Sequence, residues 1–210
     1  MTSRKVKKEL EKFNALKKNF KFEMKELETK KDESIFVDGV CIREGKDGEW
    51  VGETETIINV GYKIHGAISK ALSNLFHYEF KFKGLKVNSI ESVFQALKFD
   101  DKKSQKAMAV YFGLDSNNVK AASNYDWKKL QKFCYMGKIM SRESSEYEDF
   151  VDELYISAIQ NPLFRNALKN VGDKYILHAI GEPDKTKTVF SRFEFEYELN
   201  AIKTFVQGEN

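Results

Sequence analysis

Glu91, Gln95 and Lys98 stand at i, i+4 and i+7 within the segment Ser89 to Phe99. On a helix that spacing sets a carboxylate, an amide and an ammonium along one side. Ile90, Val93, Phe94 and Leu97 recur at the same helical period, so the segment predicts a helix with one core-facing stripe and one polar stripe. Ser89 is placed to cap its N-terminus. Glu91 then falls in the first turn, where free N–H groups and the positive end of the helix dipole favour an ionised carboxylate. Such a group suits a general base toward water, or an anion facing a developing oxocarbenium ion, and not a general acid at neutral pH. Lys98 can hold a phosphate or stabilise a leaving group. The same spacing also describes the wet side of an ordinary amphipathic helix.

Other chemistry finds little support. Cys41 and Cys134 show neither CxxC nor metal-ligand spacing, and they read as reduced, core or half-buried thiols. His65, His77 and His178 lie far apart and no HExxH occurs, so no metal is expected. No run of about 18 apolar residues is present, so no membrane span is expected. The charged N-terminus lacks the apolar stretch of a secretory signal, and a cytoplasmic location is expected. Of the 210 residues, 41% are hydrophobic and 17 are Phe, enough to fill a core. The net charge is +3, and residues 1–33 carry eleven Lys/Arg against seven Asp/Glu. That excess makes the N-terminal segment a basic arm able to attract a phosphate backbone, or simply a solubilising helix face.

Three parts are expected. Residues 1–33 read as a basic amphipathic helix over Arg4 to Lys31, with Leu10, Phe13, Leu16, Phe20, Met24 and Leu27 as its stripe. Residues 34–60 read as a strand and hairpin extension. Residues 61–206 read as one compact unit. Within it, Phe76 to Phe82 and Leu85 to Val87 read as strands about Gly84, and a helix is expected from Asp126 through Trp127, Leu130, Cys134 and Met140. Ser145 and Glu148 form a capping-box pattern, Asn161-Pro162 an N-cap with its N1 proline, and Ser191 with Glu194 a second capping box. Lys174 to Ile180 reads as a short strand and Gly181 to Lys187 as a polar loop. The class is α+β, mostly helical, with short antiparallel strands.

Leu72-Ser73-Asn74, Phe80 to Gly84 and the run Ser89 to Phe99 together resemble the NADAR (YbiA-like) family, with its Ser-Asn element, its Gly-bearing strand and its Ser-x-Glu-x-x-x-Gln-Ala-x-Lys-Phe helix. Asp126-Trp127 is similar to the family's Trp element. The resemblance spans roughly Gly61 to Phe205. It implies a YbiA-like fold and a hydrolase, an N-glycosidase acting on ribose-phosphate compounds without metal or organic cofactor. It implies that Glu91 is the catalytic glutamate, that Trp127 stacks on substrate, and that Ser73, Asn74, Gln95 and Lys98 line the pocket. Family activities include cleaving early riboflavin-pathway intermediates and removing ADP-ribose from guanine in DNA.

The chain departs from many members at its C-terminal end. No Trp follows Trp127, and His178-Ala179-Ile180-Gly181-Glu182 and Asp184 to Thr188 stand where an Asp-x-x-Trp-Gly element is usual. His178 and Asp184, with Glu194, are therefore the candidates for a second catalytic group. Each also has a structural reading: His178 satisfying a strand end, Asp184 a turn, Glu194 its capping box. The basic arm and the run Lys98, Lys102, Lys103 and Lys106 favour ADP-ribosylated DNA as partner. A small ribose-phosphate intermediate, a non-catalytic ADP-ribose or nucleotide-binding module and a helical interaction protein are the alternatives.

Overall fold

Ser3 opens the first ordered element, its side chain accepting a hydrogen bond from the Val6 N–H and capping α1 (Arg4–Lys17). The structure, a computed structural model, describes residues 3–113, 115 and 125–209. Three short strands follow, β1 (Glu28–Thr29), β2 (Ile35–Val37) and β3 (Val40–Arg43), paired antiparallel in that order. Next come β4 (Ile57–Asn59), α2 (Ala67–Ala71), the hairpin β5 (Phe80–Phe82) and β6 (Leu85–Val87), α3 (Ile90–Ala96) and α4 (Lys102–Met108). After α5 (Trp127–Leu130) comes the hairpin β7 (Lys132–Tyr135) and β8 (Lys138–Ser141). The chain closes with α6 (Ser145–Ala158), α7 (Pro162–Asn170), β9 (Tyr175–Leu177) and α8 (Arg192–Gln207). The class is α+β, with helices dominating and most strand pairs antiparallel.

Local chemistry sets most boundaries. Three hairpins turn on a residue and a glycine that both take positive φ: Asp38-Gly39, Lys83-Gly84 and Met136-Gly137. Two successive positive φ values match the strands' right-handed twist, and glycine adopts the second without strain. Ser89, Asn161 and Ser191 cap α3, α7 and α8 as the sequence predicts, and Ser191 with Glu194 forms a complete capping box. The cap of α6 is Ser144, one residue before the expected Ser145.

Three expectations give way. The helix at Arg4 stops at Lys17 instead of running to Lys31. Beyond it Phe20 and Phe22 pack as extended chain on an aromatic face made by Tyr175, Phe193 and Tyr197. Aromatic burial at two-residue spacing thereby overrides a marginal helical period. The helix expected through Cys134 and Met140 is a single turn followed by β7 and β8, in which Phe133, Cys134, Tyr135 and Met140 are buried. β-branched and aromatic residues about the Met136-Gly137 turn decide for a hairpin. β4 pairs parallel with β9, Ile58 opposite Ile176. Cys41 is exposed, against the expected core or half-buried setting.

The main core runs through the molecule and takes in α1: Phe13 is fully buried edge-on to Phe205, and Val6 joins the same cluster. A smaller cluster of Val37, Ile42, Ile57 and Leu177 sits under the β1–β3 sheet. Because the Phe13 ring is wholly enclosed, Phe13→Ala should cost about 3–5 kcal/mol of unfolding free energy, read from urea denaturation. A loss under about 1 kcal/mol would mean that α1 is an appendage outside the cooperative core.

Candidate active site

The polar stripe of α3 opens on a cavity of about 330 Å³. Its helix is held from both ends of its first turn. Ser89 Oγ accepts from the Ser92 N–H at 3.1 Å, and the Glu91 N–H donates to the Asn74 carbonyl at 2.9 Å. The apolar stripe, Ile90, Val93, Phe94 and Leu97, is buried as predicted, and of these Phe94 also borders the cavity. With that face fixed in the core, Glu91, Gln95 and Lys98 have one direction left, and all three line the cavity.

Their side chains form a chain of hydrogen bonds. The Lys98 ammonium donates to Gln95 Oε1 at 2.7 Å, and Gln95 Nε2 donates to Glu91 Oε1. The amide thus faces each neighbour with the matching atom, and its own burial, 4% exposed, fixes that orientation. Glu91 and Lys98 are half-buried. The result is an anion and a cation held apart by a neutral amide. A direct ion pair would quench both charges; here the amide stands between them.

Asn74 and Ser73 follow α2 and line the same cavity. Asn74 Oδ1 accepts from the Tyr155 hydroxyl at 2.8 Å, tying this loop to α6. Burial pushes the Tyr155 hydroxyl far above its usual range, so it stays a donor. Ser73 Oγ accepts from the Leu75 N–H at 3.3 Å.

His178 enters from the end of β9. Its Nδ1 lies 2.8 Å from the Val60 carbonyl, beyond the end of β4, and its ring stacks on Phe195 at 4.2 Å. A carbonyl only accepts, so Nδ1 carries the proton and Nε2 keeps its lone pair. Desolvation, with Arg192 nearby, lowers the imidazole to about 4. At neutral pH His178 is thus an uncharged acceptor and no source of protons. The parallel β4–β9 pair builds this arrangement, drawing residues from before position 61 into the site.

Six of the eight expected site residues therefore meet in one cavity: Ser73, Asn74, Glu91, Gln95, Lys98 and His178. Two do not line it. Trp127 is 6% exposed and packs against Phe133, with the Lys98 ammonium 5.6 Å above its ring. It touches the site through Lys98. Asp184 sits in a turn, where Oδ1 accepts from the Thr186 N–H at 2.9 Å and its hydroxyl at 2.7 Å. Those bonds, with Lys187 beside them, lower its carboxyl to about 2. Glu194, the third candidate, accepts from Arg142 and caps α8.

Glu182 and Thr188, both in the stretch that departs from the family pattern, line the cavity from the loop before α8, and so does Phe190, which sequence reasoning missed. Phe190 stacks on Phe94 with ring centroids 4.7 Å apart and planes 22° apart. The loop is pinned from behind. Arg142 Nε donates to the Lys185 carbonyl at 3.3 Å, and the Tyr147 hydroxyl donates to the Val189 carbonyl. The sequence signal for Phe190 was its place beside the Ser191 cap, which obliges it to turn inward ahead of the helix. Among the described residues, no group of three or more His, Cys, Asp or Glu is arranged to hold a metal ion.

The His178 geometry carries a stability prediction. Its folded pKa lies below the ordinary value of 6.5, so between about 6.5 and 4 the unfolded chain takes up a proton that the folded one refuses. Stability must fall as pH drops through that window. His178→Asn, which keeps a donor for Val60, should flatten the component; urea midpoints from pH 7 to 4 for both proteins measure it. An identical pH slope in the variant would mean that this imidazole titrates as it does in water.

Residues 66–204, about two thirds of the chain, match the model of the family described as bacteriophage protein GP30.3. The NMR structure of the E. coli protein YbiA aligns with 73% of this chain and 86% of its own, at 16% identity and a TM-score of 0.46. No curated protein matches. On the extent of the family match, which takes in the cavity's α3, its Ser73-Asn74 loop and its His178 end together, this chain belongs to the bacteriophage GP30.3 family.

Proposed function

We propose that this protein is an N-glycosidase that hydrolyses the bond between a base and a phosphorylated ribose, with ADP-ribose carried on guanine in DNA as its substrate. The observation that carries the reading is the Glu91–Gln95–Lys98 chain opening into a cavity that Asn74 and His178 also line. The motif resemblance to the NADAR family supports it. At about 330 Å³ the cavity suits a ribosyl unit, with the rest of the ligand extending outside.

In this mechanism Lys98 holds a phosphate, and the C–N bond breaks with oxocarbenium character at the anomeric carbon. The Glu91 carboxylate faces that charge and aligns the attacking water, taking its proton as the C–O bond forms, while the departing base nitrogen keeps the electron pair of the broken C–N bond and takes a proton from solvent. His178, an uncharged acceptor, takes a hydrogen bond from a ribose hydroxyl or from the water. The aromatic surface for the leaving base is Phe190 on Phe94, with Trp127 acting behind Lys98.

Two features favour a polymeric substrate over a free nucleotide: the basic N-terminal segment, and the exposed Lys102, Lys103 and Lys106 on α4, which packs against α3. The test is incubation with ADP-ribosylated DNA and, separately, with free ribose-phosphate N-glycosides, reading released ADP-ribose or sugar phosphate by mass. Release from DNA is expected to weaken steeply with added salt. Glu91→Gln should lower turnover by about 10²-fold or more while ligand affinity stays within a few-fold. Wild-type turnover in that variant would remove Glu91 from the chemistry. Cleavage of free glycosides alone, insensitive to salt, would overturn the DNA assignment and keep the hydrolase.

A further inference from the structure

A second cavity, about 270 Å³, opens where α1, α6 and α8 meet, and Phe190 is a wall of both cavities. Its floor is a charge cluster. Asp152 on α6 and Glu198 on α8 are 7% and 2% exposed. The Lys17 ammonium from α1 donates to Glu198 Oε2 at 2.9 Å and to Asp152 Oδ1. One ammonium thus serves two enclosed carboxylates. Glu198 Oε1 has no hydrogen-bond partner among the described residues. The Glu198 carboxyl lies against that of Asp152, and with one ammonium between two enclosed carboxyls a proton or a second cation must offset the other charge.

The rest of the cavity has the chemistry of a cation site. Tyr197 already takes a cation on its face, with the Lys17 ammonium 4.9 Å from the ring centre. Phe193 stacks on Tyr197 and remains 50% exposed. Glu148 lies one helical turn from Asp152 on the same face of α6, about 6 Å along the axis, and is exposed at the mouth. Glu194 also lines the cavity, and Arg142 already pairs with it. Two anionic levels result, Asp152 with Glu198 below and Glu148 above, joined by apolar ring surface. Rings of this kind favour an organic ammonium over a strongly hydrated metal ion.

We propose that this cavity binds a short aliphatic diamine, with one ammonium at Glu198 and Asp152, the other at Glu148, and its methylenes along Phe193 and Tyr197. A spacing of about four methylenes suits the one-turn separation of the two levels. Without such a ligand a proton can take that place: burial, then Asp152, raises Glu198 well above the ordinary carboxylate range against the opposing pull of Lys17. The groups facing it are Lys17 from α1, Asp152 and Tyr155 from α6, and its neighbour Tyr197 on α8. Binding an ammonium there replaces that proton and releases it. The inference does not depend on the proposed hydrolase activity.

Calorimetric titration of the full chain with 1,4-diaminobutane, in two buffers of different ionisation enthalpy, tests it. Saturable binding with proton release near neutral pH is expected, tightening as pH rises toward 9. 1-Aminobutane, which reaches one level only, should bind about tenfold more weakly. Glu198→Gln should abolish both binding and proton release. Should that variant fail to fold, Glu148→Gln, at the exposed mouth, should reduce the diamine's affinity to that of the monoamine. Absence of saturable binding to the folded wild-type protein overturns the proposal, and so does equal affinity for diamine and monoamine.

Discussion

Asn74 is the residue on which the geometry of the α3 cavity depends. Its carbonyl receives the Glu91 N–H and its side-chain oxygen receives the Tyr155 hydroxyl, so one residue fixes the start of α3 against α6. Neither bond is replaceable by solvent, since Asn74 is 8% exposed and Tyr155 is fully enclosed. The first N–H groups of any helix lack intrahelical partners. Here Asn74 and Ser89 supply them, and the supply sets where the first turn sits relative to the cavity. The direction of the Glu91 carboxylate follows from a backbone bond made by a neighbouring loop, and only secondarily from its own side-chain contacts.

The opposite wall is held by different means. The loop before α8 has little regular structure, yet it supplies Gly181, Glu182, Thr188, Val189 and Phe190 to the cavity. Its carbonyls are gripped by Arg142 at Lys185, by Gln131 at Thr186 and by Tyr147 at Val189. Arg142 is itself 4% exposed and engages both carboxylate oxygens of Glu194, the residue that completes the α8 capping box. A planar, permanently charged fork can hold a carboxylate and a loop carbonyl together; a lysine cannot. Gln131 just before β7, Arg142 just after β8 and Tyr147 on α6 thereby fix the side that carries Phe190.

What the sequence disclosed and what it hid divide along sequence separation. The Ser89 cap, the buried stripe of α3, the polar stripe beside it and the Ser191 capping box all depend on residues three to seven apart, and each is legible in the chain. The early stop of α1 depends on Phe20 and Phe22 meeting Tyr175 and Tyr197, about 150 residues or more away. The parallel pairing of β4 with β9 joins residues 57–59 to 175–177, and no local pattern announces it. His178 is legible as a candidate, but its tautomer comes from Val60, which that pairing supplies, and its lack of charge from burial. The resemblance sets Trp127 on the substrate; its indole packs against Phe133 with Lys98 over its ring, and Phe94 and Phe190 supply ring surface to the cavity. Glu182 lies in the stretch that departs from the family pattern, but nothing local says which residues of that loop face inward.

The two cavities show how one helical bundle treats carboxylates differently. Glu198 is shut in with Asp152 and a single ammonium, a setting in which its charge is costly and a proton or a cation must offset it. Glu91 is half-buried, its nearest side-chain partner is an amide, and the ammonium of Lys98 stands beyond that amide. An amide donor supports an anion without neutralising it. Exchanging the amide for a second carboxylate would bring to α3 the like-charge problem that α8 already carries. Gln95 is therefore the residue whose neutrality matters most at this site: it holds Glu91 and Lys98 in register while preventing them from satisfying each other.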